Sequence, residues 1–262
     1  MKLLAFDVDD TLIAADKVFR PSTIASLNER LALGDAIAIV SGRPYVGIMK
    51  FLNALIPGQK FPIGANGAVV YDLEGHPLMV DRLKFQDYVD FYHRHEDLIK
   101  KGADIYCYTL DKVGYFSYGP FVRFEVNLNG TSLIDLNQHP LAPDAPILKF
   151  MIAWANADWS AVKLSEQERQ SFHMIRSDPR FMEFTSLTCD KATGVEFLRK
   201  YLGIAKEDVY TFGDQGNDVG MIAAYQGVAM ANAIPEAKKA AKYITKSVDE
   251  DGVSYALHHF VK

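Results

Sequence analysis

The chain has 262 residues, of which 49% are hydrophobic and 23% charged, and its formal net charge is −5. This balance is typical of a globular protein with a sizeable core, and it argues against a broad surface for nucleic acid. The two cysteines, Cys107 and Cys189, form no CxxC pair, so the sequence predicts neither a disulfide framework nor a cysteine-based zinc site.

The beginning of the chain and its apolar runs predict a location in the cytoplasm. Residues 1–5 are too short for the hydrophobic segment of a signal peptide before Asp7 interrupts them, and no apolar run approaches the length of a membrane span. We therefore expect neither a membrane nor a nucleic acid as a partner. The sequence does not predict an oligomeric state.

The first part of the chain alternates predicted strands and helices. Residues 3–8 predict a strand buried on both faces, and residues 36–42 predict a second one. Helices are predicted at 21–34 and 44–55. This strand–helix–strand–helix order indicates an α/β fold with a doubly wound parallel sheet.

The pattern changes to that of an α+β domain at about residue 82. A helix is predicted at 85–101, and residues 160–172 form a polar stretch compatible with a helix. Strands are predicted at 104–110, 115–119, 121–128, 146–155 and 181–187. These elements suit an antiparallel sheet with helices on one face.

The first pattern returns after residue 187. Helices are predicted at 191–203, 217–225 and 235–241, and strands at 208–213 and 227–230. The simplest interpretation is an α/β core domain, formed by residues 1–81 and 188–262, that is split by an inserted α+β domain at 82–187.

Three aspartates follow the first predicted strand within four positions. In an extended segment alternate side chains share a face, which places Asp7, Asp9 and Thr11 together. Asp10 then points the other way. Carboxylates this close repel each other, and strand ends in open α/β sheets bind ligands, so we expect a cation or a reaction here. The simpler alternative is a turn that caps the next helix. An EF-hand is excluded because its sixth loop position would be Leu12 rather than glycine.

A second acidic motif, GDQGND, ends the predicted strand at 208–213. Asp214 lies at the strand end and Asp218 four residues later. Together with Asp7, these carboxylates offer the hard oxygen ligands that Mg²⁺ prefers. The alternative is again local, because Gly-Asp and Asn-Asp are ordinary turn and cap dipeptides.

Two further segments could bind a phosphate group. Ser41 ends the second predicted strand, and Gly42 allows close backbone approach before the start of a helix. Lys191 opens another predicted helix, where a cation is unfavourable unless an anion lies nearby. The alternatives are a plain helix cap for Ser41 and a solvated side chain for Lys191.

These motifs, in this order, resemble the haloacid dehalogenase (HAD) superfamily: D-x-D-x-T at residues 7–11, then Ser41, Lys191 and GDQGND. The inserted domain resembles the type IIB cap of the Cof-type branch, and the segments 64–70, 227–245 and 249–257 are also similar to that branch. Two positions depart from the family pattern, with Asp10 where glycine is usual and Ala192 where glycine is common.

The resemblance implies a role for each motif residue. Asp7 would be the nucleophile that forms an aspartyl-phosphate, and Asp9 would be the general acid and base. Asp9 would be unnecessary for dehalogenation, so its presence favours phosphoryl transfer. Mg²⁺ would be held by Asp7, Asp214, Asp218 and the backbone carbonyl of Asp9. The transferring phosphoryl oxygens would be bound by Thr11, Ser41, Gly42, Lys191 and Asn217.

The sequence therefore predicts Mg²⁺-dependent hydrolysis of small phosphomonoesters, with sugar phosphates as the leading substrate class. A phosphohexomutase of the phosphomannomutase type and a non-catalytic metabolite-binding regulator are the alternatives. Arg43 is a further candidate for a contact with phosphate or with the inserted domain. The HRH stretch at 93–95 is assigned to a solvated helix face, because residues two apart on a helix do not face one another.

Overall fold

A computed structural model describes residues 1–262, except for the side chains of residues 177 and 178. The chain forms two compact units: Met1–Met79 with Asp190–Lys262, here called the core unit, and Val80–Cys189, here called the inserted unit. The predicted insertion at 82–187 lies two residues inside these bounds at each end. That this insertion acts as a cap stays a prediction.

The first part of the core unit and the beginning of the inserted unit contain short strands and two amphipathic helices. The elements are β1 (Leu3–Phe6), α1 (Pro21–Ala32), β2 (Ala36–Val40), α2 (Tyr45–Leu52), β3 (Lys60–Gly64), β4 (Val69–Tyr71) and β5 (Pro77–Val80).

The inserted unit continues with a mixture of strands and helices. The elements are β6 (Leu83–Lys84), α3 (Phe85–Arg94), α4 (Glu96–Lys100), β7 (Asp104–Tyr108), β8 (Lys112–Tyr115), α5 (Pro120–Asn129), β9 (Ser132–Asp135), β10 (Pro146–Ile147), β11 (Lys149–Ala153), α6 (Glu166–Ser171), β12 (His173–Asp178) and β13 (Phe181–Thr185).

The last part of the core unit restores the alternation. The elements are α7 (Lys191–Tyr201), β14 (Val209–Gly213), α8 (Val219–Ala224), β15 (Gln226–Ala229), α9 (Pro235–Ala240), β16 (Tyr243–Ile244) and α10 (Gly252–His259). None of the helices formed by the described residues has the length and apolarity that crossing a bilayer requires.

The core sheet has eight strands in the order β16-β15-β14-β1-β2-β3-β4-β5. β1 pairs in parallel with β14 and with β2, and its four residues are fully buried. Leu4 and Phe6 pack with α1, α2 and α10, whereas Leu3 and Ala5 pack with α7 on the other face. Helices therefore cover both faces, and the predicted doubly wound α/β core is confirmed.

The inserted unit contains a six-stranded sheet in the order β12-β13-β11-β7-β8-β9. Its neighbours are antiparallel except for β8 and β9, which are parallel and are joined through α5. Phe91 of α3 packs on one face, against Phe150 and Phe184. α5 lies on the opposite face, so the prediction of helices on one face only was wrong.

The strand predicted at 121–128 is wrong, because these residues belong to helix α5. Its apolar residues alternate well enough to suggest a strand, but Pro120 occupies the first turn of the helix. Gly130 ends the helix in the left-handed conformation, with φ 69°. Burial of Val122, Glu125 and Asn129 follows a helical spacing.

The helix predicted at 85–101 is divided at His95, and the assignment of the HRH stretch to a solvated face was wrong for this residue. His95 is buried, and its Nε2 lies 3.0 Å from Oε1 of Glu168. Glu168 in turn caps α6 through Ser165. The strand predicted at 115–119 shares only Tyr115 with β8. The elements that were not predicted are β3, β4, β5, β6, β9, β12, β16 and α10.

Candidate active site

The candidate site is built where three neighbouring parallel strands of the core sheet end. Asp7 directly follows β1, Ser41 follows β2 and Asp214 follows β14. The Asp7 backbone N–H still donates to the Phe212 carbonyl at 3.0 Å, so the parallel pairing extends to the first aspartate. Because the strands are parallel, these residues share one edge of the sheet, as predicted from open α/β sheets.

A buried cluster of three carboxylates lies at this edge. Oxygen atoms of Asp7, Asp214 and Asp218 all lie within 4.8 Å of one another. Asp218 is oriented by two backbone donors, because its Oδ2 accepts the N–H groups of Asp214 and Gln215, each at 2.9 Å. The cluster thus joins two segments more than 200 positions apart in sequence.

Lys191 neutralises part of this charge. Its Nζ donates to Asp7 Oδ1 at 2.5 Å and to Asp218 Oδ1 at 2.6 Å, and its side chain is buried. Burial disfavours the ammonium, but the carboxylates of Asp218 and Asp7 outweigh that effect and raise the pKa of Lys191. A lysine at the start of a helix is favourable only near an anion, and here the carboxylates of Asp7 and Asp218 provide it.

The ionised form of the third carboxylate, Asp214, is stabilised less well. Burial, together with the adjacent Asp218 carboxylate, raises the pKa of Asp214 to about 7. Its Oδ1 accepts the Thr11 hydroxyl at 2.9 Å, and its Oδ2 accepts the Gln215 side-chain amide at 3.1 Å. Both hydrogen-bond partners are neutral donors, and the charge of Lys191, which lowers the pKa of Asp214, does not outweigh burial and Asp218.

The donor set fits a magnesium ion. Three carboxylates facing a single ammonium leave two uncompensated negative charges when all groups are ionised. Hard oxygen donors and this charge match the preference of Mg²⁺. Asp7, Asp214 and Asp218 are the residues that could hold the ion.

Asp9 lies apart from the carboxylate cluster and is held by two cations. Arg43 Nη2 lies 2.9 Å from Oδ1 and 2.8 Å from Oδ2 of Asp9, and Lys17 Nζ lies 2.7 Å from Oδ1. Burial alone would raise the pKa of Asp9, but Arg43 and Lys17 outweigh it and hold that pKa below its usual range. Asp9 is therefore kept ionised in this arrangement.

The residues predicted to bind phosphate form hydrogen bonds with several different groups near this edge of the core sheet. Thr11 bonds to Asp214, and the Ser41 hydroxyl accepts the backbone N–H of Arg43 at 3.3 Å. Asn217 Nδ2 donates to Asn66 Oδ1 at 3.2 Å. At Gly42 an added Cβ would lie 3.1 Å from Asn66 Oδ1, so the backbone there is closely approached.

The strict alternation assumed for residues 7–11 does not continue through Asp10. Asp10 adopts the left-handed conformation, with φ 60°, and its carbonyl accepts Asn232 Nδ2 at 2.8 Å. The chain turns back at this point, because the backbone N–H groups of Leu12 and Ile13 donate to the Val8 carbonyl. Thr11 nevertheless reaches Asp214.

Two further residues, Asn66 and Arg43, belong to the site. The sequence indicated no role for Asn66, and it indicated Arg43 only as a candidate for a contact with phosphate or with the inserted domain. Arg43 links Asp9 with the Ser41 loop, and its position directly after Ser-Gly at a strand end was an indication of this. Asn66 lies in an Asn-Gly dipeptide, an ordinary turn pattern, and nothing local indicates its distant partner Asn217.

Comparisons with known proteins agree with this fold. A family model described as haloacid dehalogenase-like hydrolase matches residues 4–257. The 5-amino-6-(5-phospho-D-ribitylamino)uracil phosphatase YcsE of Bacillus subtilis is 27% identical over 263 residues, covering 100% of this chain and 96% of that protein.

Two solved structures share the complete fold. A haloacid dehalogenase-like hydrolase from Bacteroides thetaiotaomicron is 28% identical, with a TM-score of 0.84 and coverage of 98% of both chains. A HAD subclass IIB sugar phosphatase is 24% identical, with a TM-score of 0.80 and coverage of 99% of both chains. The predicted superfamily is confirmed, and the chain belongs to the haloacid dehalogenase-like hydrolase family.

Proposed function

We propose that the chain hydrolyses small phosphomonoesters through an aspartyl-phosphate on Asp7, with Mg²⁺ as the cofactor. The chain is a phosphatase of the HAD superfamily. What is proposed here is its metal ion, the roles of its site residues and the class of its substrate. One observation carries the proposal: Asp7 lies within a buried cluster of carboxylates, and its Oδ1 accepts Lys191 Nζ at 2.5 Å. Burial and the neighbouring carboxylates raise the pKa of Asp7, whereas the Lys191 ammonium lowers it, and a bound cation would favour the ionised form that a nucleophile needs.

The two aspartates would divide the reaction between them. In the first step an Asp7 oxygen bonds to phosphorus, the bond from phosphorus to the leaving oxygen breaks, and protonated Asp9 gives that oxygen a proton. In the second step ionised Asp9 takes a proton from water, and the water oxygen displaces Asp7 from phosphorus. Asp9 thus returns to its protonated form, and inorganic phosphate is released.

The other site residues would orient and neutralise the phosphoryl group. Lys191, which contacts Asp7, would supply an ammonium, Thr11 and Ser41 two hydroxyls and Asn217 an amide. The backbone of Gly42, which the Asn66 side chain approaches closely, would supply a further contact. When bound by Asp7, Asp214 and Asp218, with the Asp9 carbonyl, Mg²⁺ supplies positive charge that favours the anionic transition state. Positioning and charge are the main requirements of phosphoryl transfer.

The proposed substrates are phosphates of small sugars or sugar alcohols. The relative YcsE is named for a substrate with a phosphorylated ribityl group, and a structure with the same fold is a sugar phosphatase. We further infer that residues 82–187 act as a cap that restricts access to small phosphoesters. This inference is supported by the α+β architecture of the inserted unit and by the likeness to a subclass IIB structure.

A substrate panel tests the proposal. Phosphate release would be measured with hexose, pentose and sugar-alcohol phosphates, a nucleotide and a phosphopeptide, each with Mg²⁺ and with EDTA. We expect release from the small polyol phosphates with Mg²⁺ only, and little release from the phosphopeptide. Isomerisation of a hexose phosphate without phosphate release would identify a mutase instead. Failure with every phosphomonoester would favour a non-catalytic metabolite-binding protein.

A further inference from the structure

The turn at Ala65–Gly67, between β3 and β4, has an unusual backbone. Three consecutive residues have positive φ angles: 50° at Ala65, 59° at Asn66 and 100° at Gly67. Residues other than glycine seldom adopt this conformation, although asparagine tolerates it better than most. Ala65 and Asn66 are also buried. Strained backbone of this kind persists only where the surroundings impose it, and it clusters at functional sites.

The turn is attached to the loop that carries Ser41. The Asn66 backbone N–H donates to the Ser41 carbonyl at 2.9 Å, and the Ala65 N–H donates to the Arg43 carbonyl at 3.1 Å. Two main-chain hydrogen bonds thus connect the end of β2 with the strained turn. With these positive φ angles, the N–H groups of Ala65 and Asn66 both donate to the same neighbouring loop.

The side chain of Asn66 reaches the second segment of the site. Its Oδ1 accepts Asn217 Nδ2 at 3.2 Å, across 151 positions of sequence. A carboxamide nitrogen carries two N–H groups in one plane. When one N–H of Asn217 is held by Asn66, the plane of the Asn217 amide is defined, and the direction of its second N–H is defined with it.

The turn also meets the start of the helix that carries Lys191. A Cβ added to Gly67 would collide with the Asp190 carbonyl and would lie 3.2 Å from the Lys191 Cα. The turn at 65–67 therefore touches the segments of Ser41, Lys191 and Asn217, all three of which belong to the proposed phosphate site.

We propose that Asn66 is a positioning residue of the phosphate site, which fixes the Asn217 amide so that its second N–H faces a phosphoryl oxygen. This inference rests on the proposed function in one respect, because it takes a phosphoryl oxygen as the group that the Asn217 amide binds. Asn66 itself does not bind the substrate. Its amide side chain orients Asn217, and its left-handed backbone keeps the Ser41 loop at the required distance.

The variant Asn66→Gly separates the side chain from the backbone. Glycine adopts φ 59° without strain, so the turn is retained while the amide is lost. We expect the dissociation constant of inorganic phosphate, measured by calorimetry with saturating Mg²⁺, to rise roughly three- to thirtyfold, which is less than for complete loss of a hydrogen bond to an anion because Asn217 stays in place. The melting temperature should change little. Asn53→Gly, at an exposed asparagine of the core unit, is the matched control and should bind phosphate as the wild type does.

A double-mutant cycle with Asn217→Ala decides how Asn66 acts. If Asn66 acts through Asn217, the double variant should bind phosphate as weakly as Asn217→Ala alone, so the two losses should not add. Fully additive losses, or unchanged binding in Asn66→Gly, would overturn the inference, as would a wild type that binds no phosphate. Phosphate binding that follows this pattern in a protein without hydrolytic activity would retain the role of Asn66 and refute the proposed function.

Discussion

The Asp9 carboxylate accepts hydrogen bonds from Arg43 at both of its oxygens. Arg43 Nη2 lies 2.9 Å from Oδ1 and 2.8 Å from Oδ2, and Arg43 Nε lies 3.2 Å from Oδ2. Arg43 is itself buried, so its guanidinium is a fixed partner. This contact explains how a partly exposed aspartate, two residues after Asp7 in the chain, is held in one place. It also means that Asp9 must gain a proton against a neighbouring cation before it can act as an acid.

The first prediction concerns Arg43→Met. Removing the guanidinium raises the pKa of Asp9, because the cation that stabilised its ionised form is gone. The limb of the pH profile on which kcat/KM for an alkyl phosphate falls with rising pH should therefore move to higher pH. At its optimum kcat should fall by roughly 10²-fold, since Asp9 is no longer oriented. Arg20→Met, which removes an arginine paired with Asp16, is the control and should leave the profile unchanged. An unshifted profile in Arg43→Met would contradict this role.

The second prediction concerns Lys191→Met in the metal-free protein. Lys191 is the ammonium that compensates Asp7 and Asp218, at 2.5 Å and 2.6 Å. Its loss leaves buried carboxylates unpaired, so the free energy of unfolding in urea should fall by about 3–5 kcal/mol. Added Mg²⁺ should restore part of this stability, because a dication replaces the lost charge, but hydrolysis should remain absent. Equal stability of variant and wild type in EDTA would refute the account of this pair.

The third prediction concerns Asp214 and pH. Because burial raises the pKa of Asp214 to about 7, the folded metal-free protein binds this proton more tightly than the unfolded chain. The contribution of Asp214 to stability is thus lost as pH rises from about 4 to about 7. The increase in melting temperature produced by Mg²⁺ should accordingly be larger at pH 8 than at pH 6.

The variant Asp214→Asn provides the control for this prediction. It removes the titrating group while preserving its shape, so the metal-free variant should be more stable than the metal-free wild type at pH 8. The same variant should bind Mg²⁺ more weakly, because one charged ligand is missing. A Mg²⁺ effect on the melting temperature that does not depend on pH would contradict the raised pKa.

The fourth prediction tests the packing of α5, the helix that was predicted as a strand. Glu125 accepts the hydroxyls of Tyr106 and Tyr108, at 2.8 Å and 2.6 Å, and the Asn129 side-chain amide at 2.8 Å. Glu125→Gln places an amide N–H₂ against some of these donors, so we expect a loss of about 1–3 kcal/mol in the free energy of unfolding. Glu166→Gln, at an exposed position of α6, should change it by less than about 0.5 kcal/mol. Comparable effects of the two substitutions would argue against the buried network.

Much of the candidate site could be predicted because it depends on strand ends. Asp7, Ser41 and Asp214 each follow a hydrophobic segment that is short enough to be a buried strand, and parallel strands end at a common edge. Lys191 was recognisable because a cation at a helix start calls for an anion. These arguments need only the order of elements along the chain.

The parts that were missed depend on side-chain conformation or on distant contacts. The sequence indicates no particular rotamer by which Arg43 would reach Asp9, and Asn66 has its partner 151 positions away. In α5 the apolar residues 122, 124, 126 and 128 fit a period of two, which favoured the prediction of a strand. Pro120 and Gly130, which are typical of the two ends of a helix, were given too little weight. Within the helix, Glu125 accepts the hydroxyls of two tyrosines of β7, a distant contact that the local pattern does not indicate.

The central claim, that Asp7 is the nucleophile and Asp9 the general acid and base, is tested most directly by burst kinetics with p-nitrophenyl phosphate. Its leaving group departs with little protonation, so Asp9→Asn should still be phosphorylated and then hydrolyse slowly, by the roughly 10²–10⁴-fold usual for loss of a general base. The account predicts a burst of nitrophenol close to one per active site in Asp9→Asn and none in Asp7→Asn. With an alkyl phosphate, Asp9→Asn should give no burst of the released alcohol. A burst from Asp7→Asn, or an equal loss with both leaving groups in Asp9→Asn, would contradict the assignment.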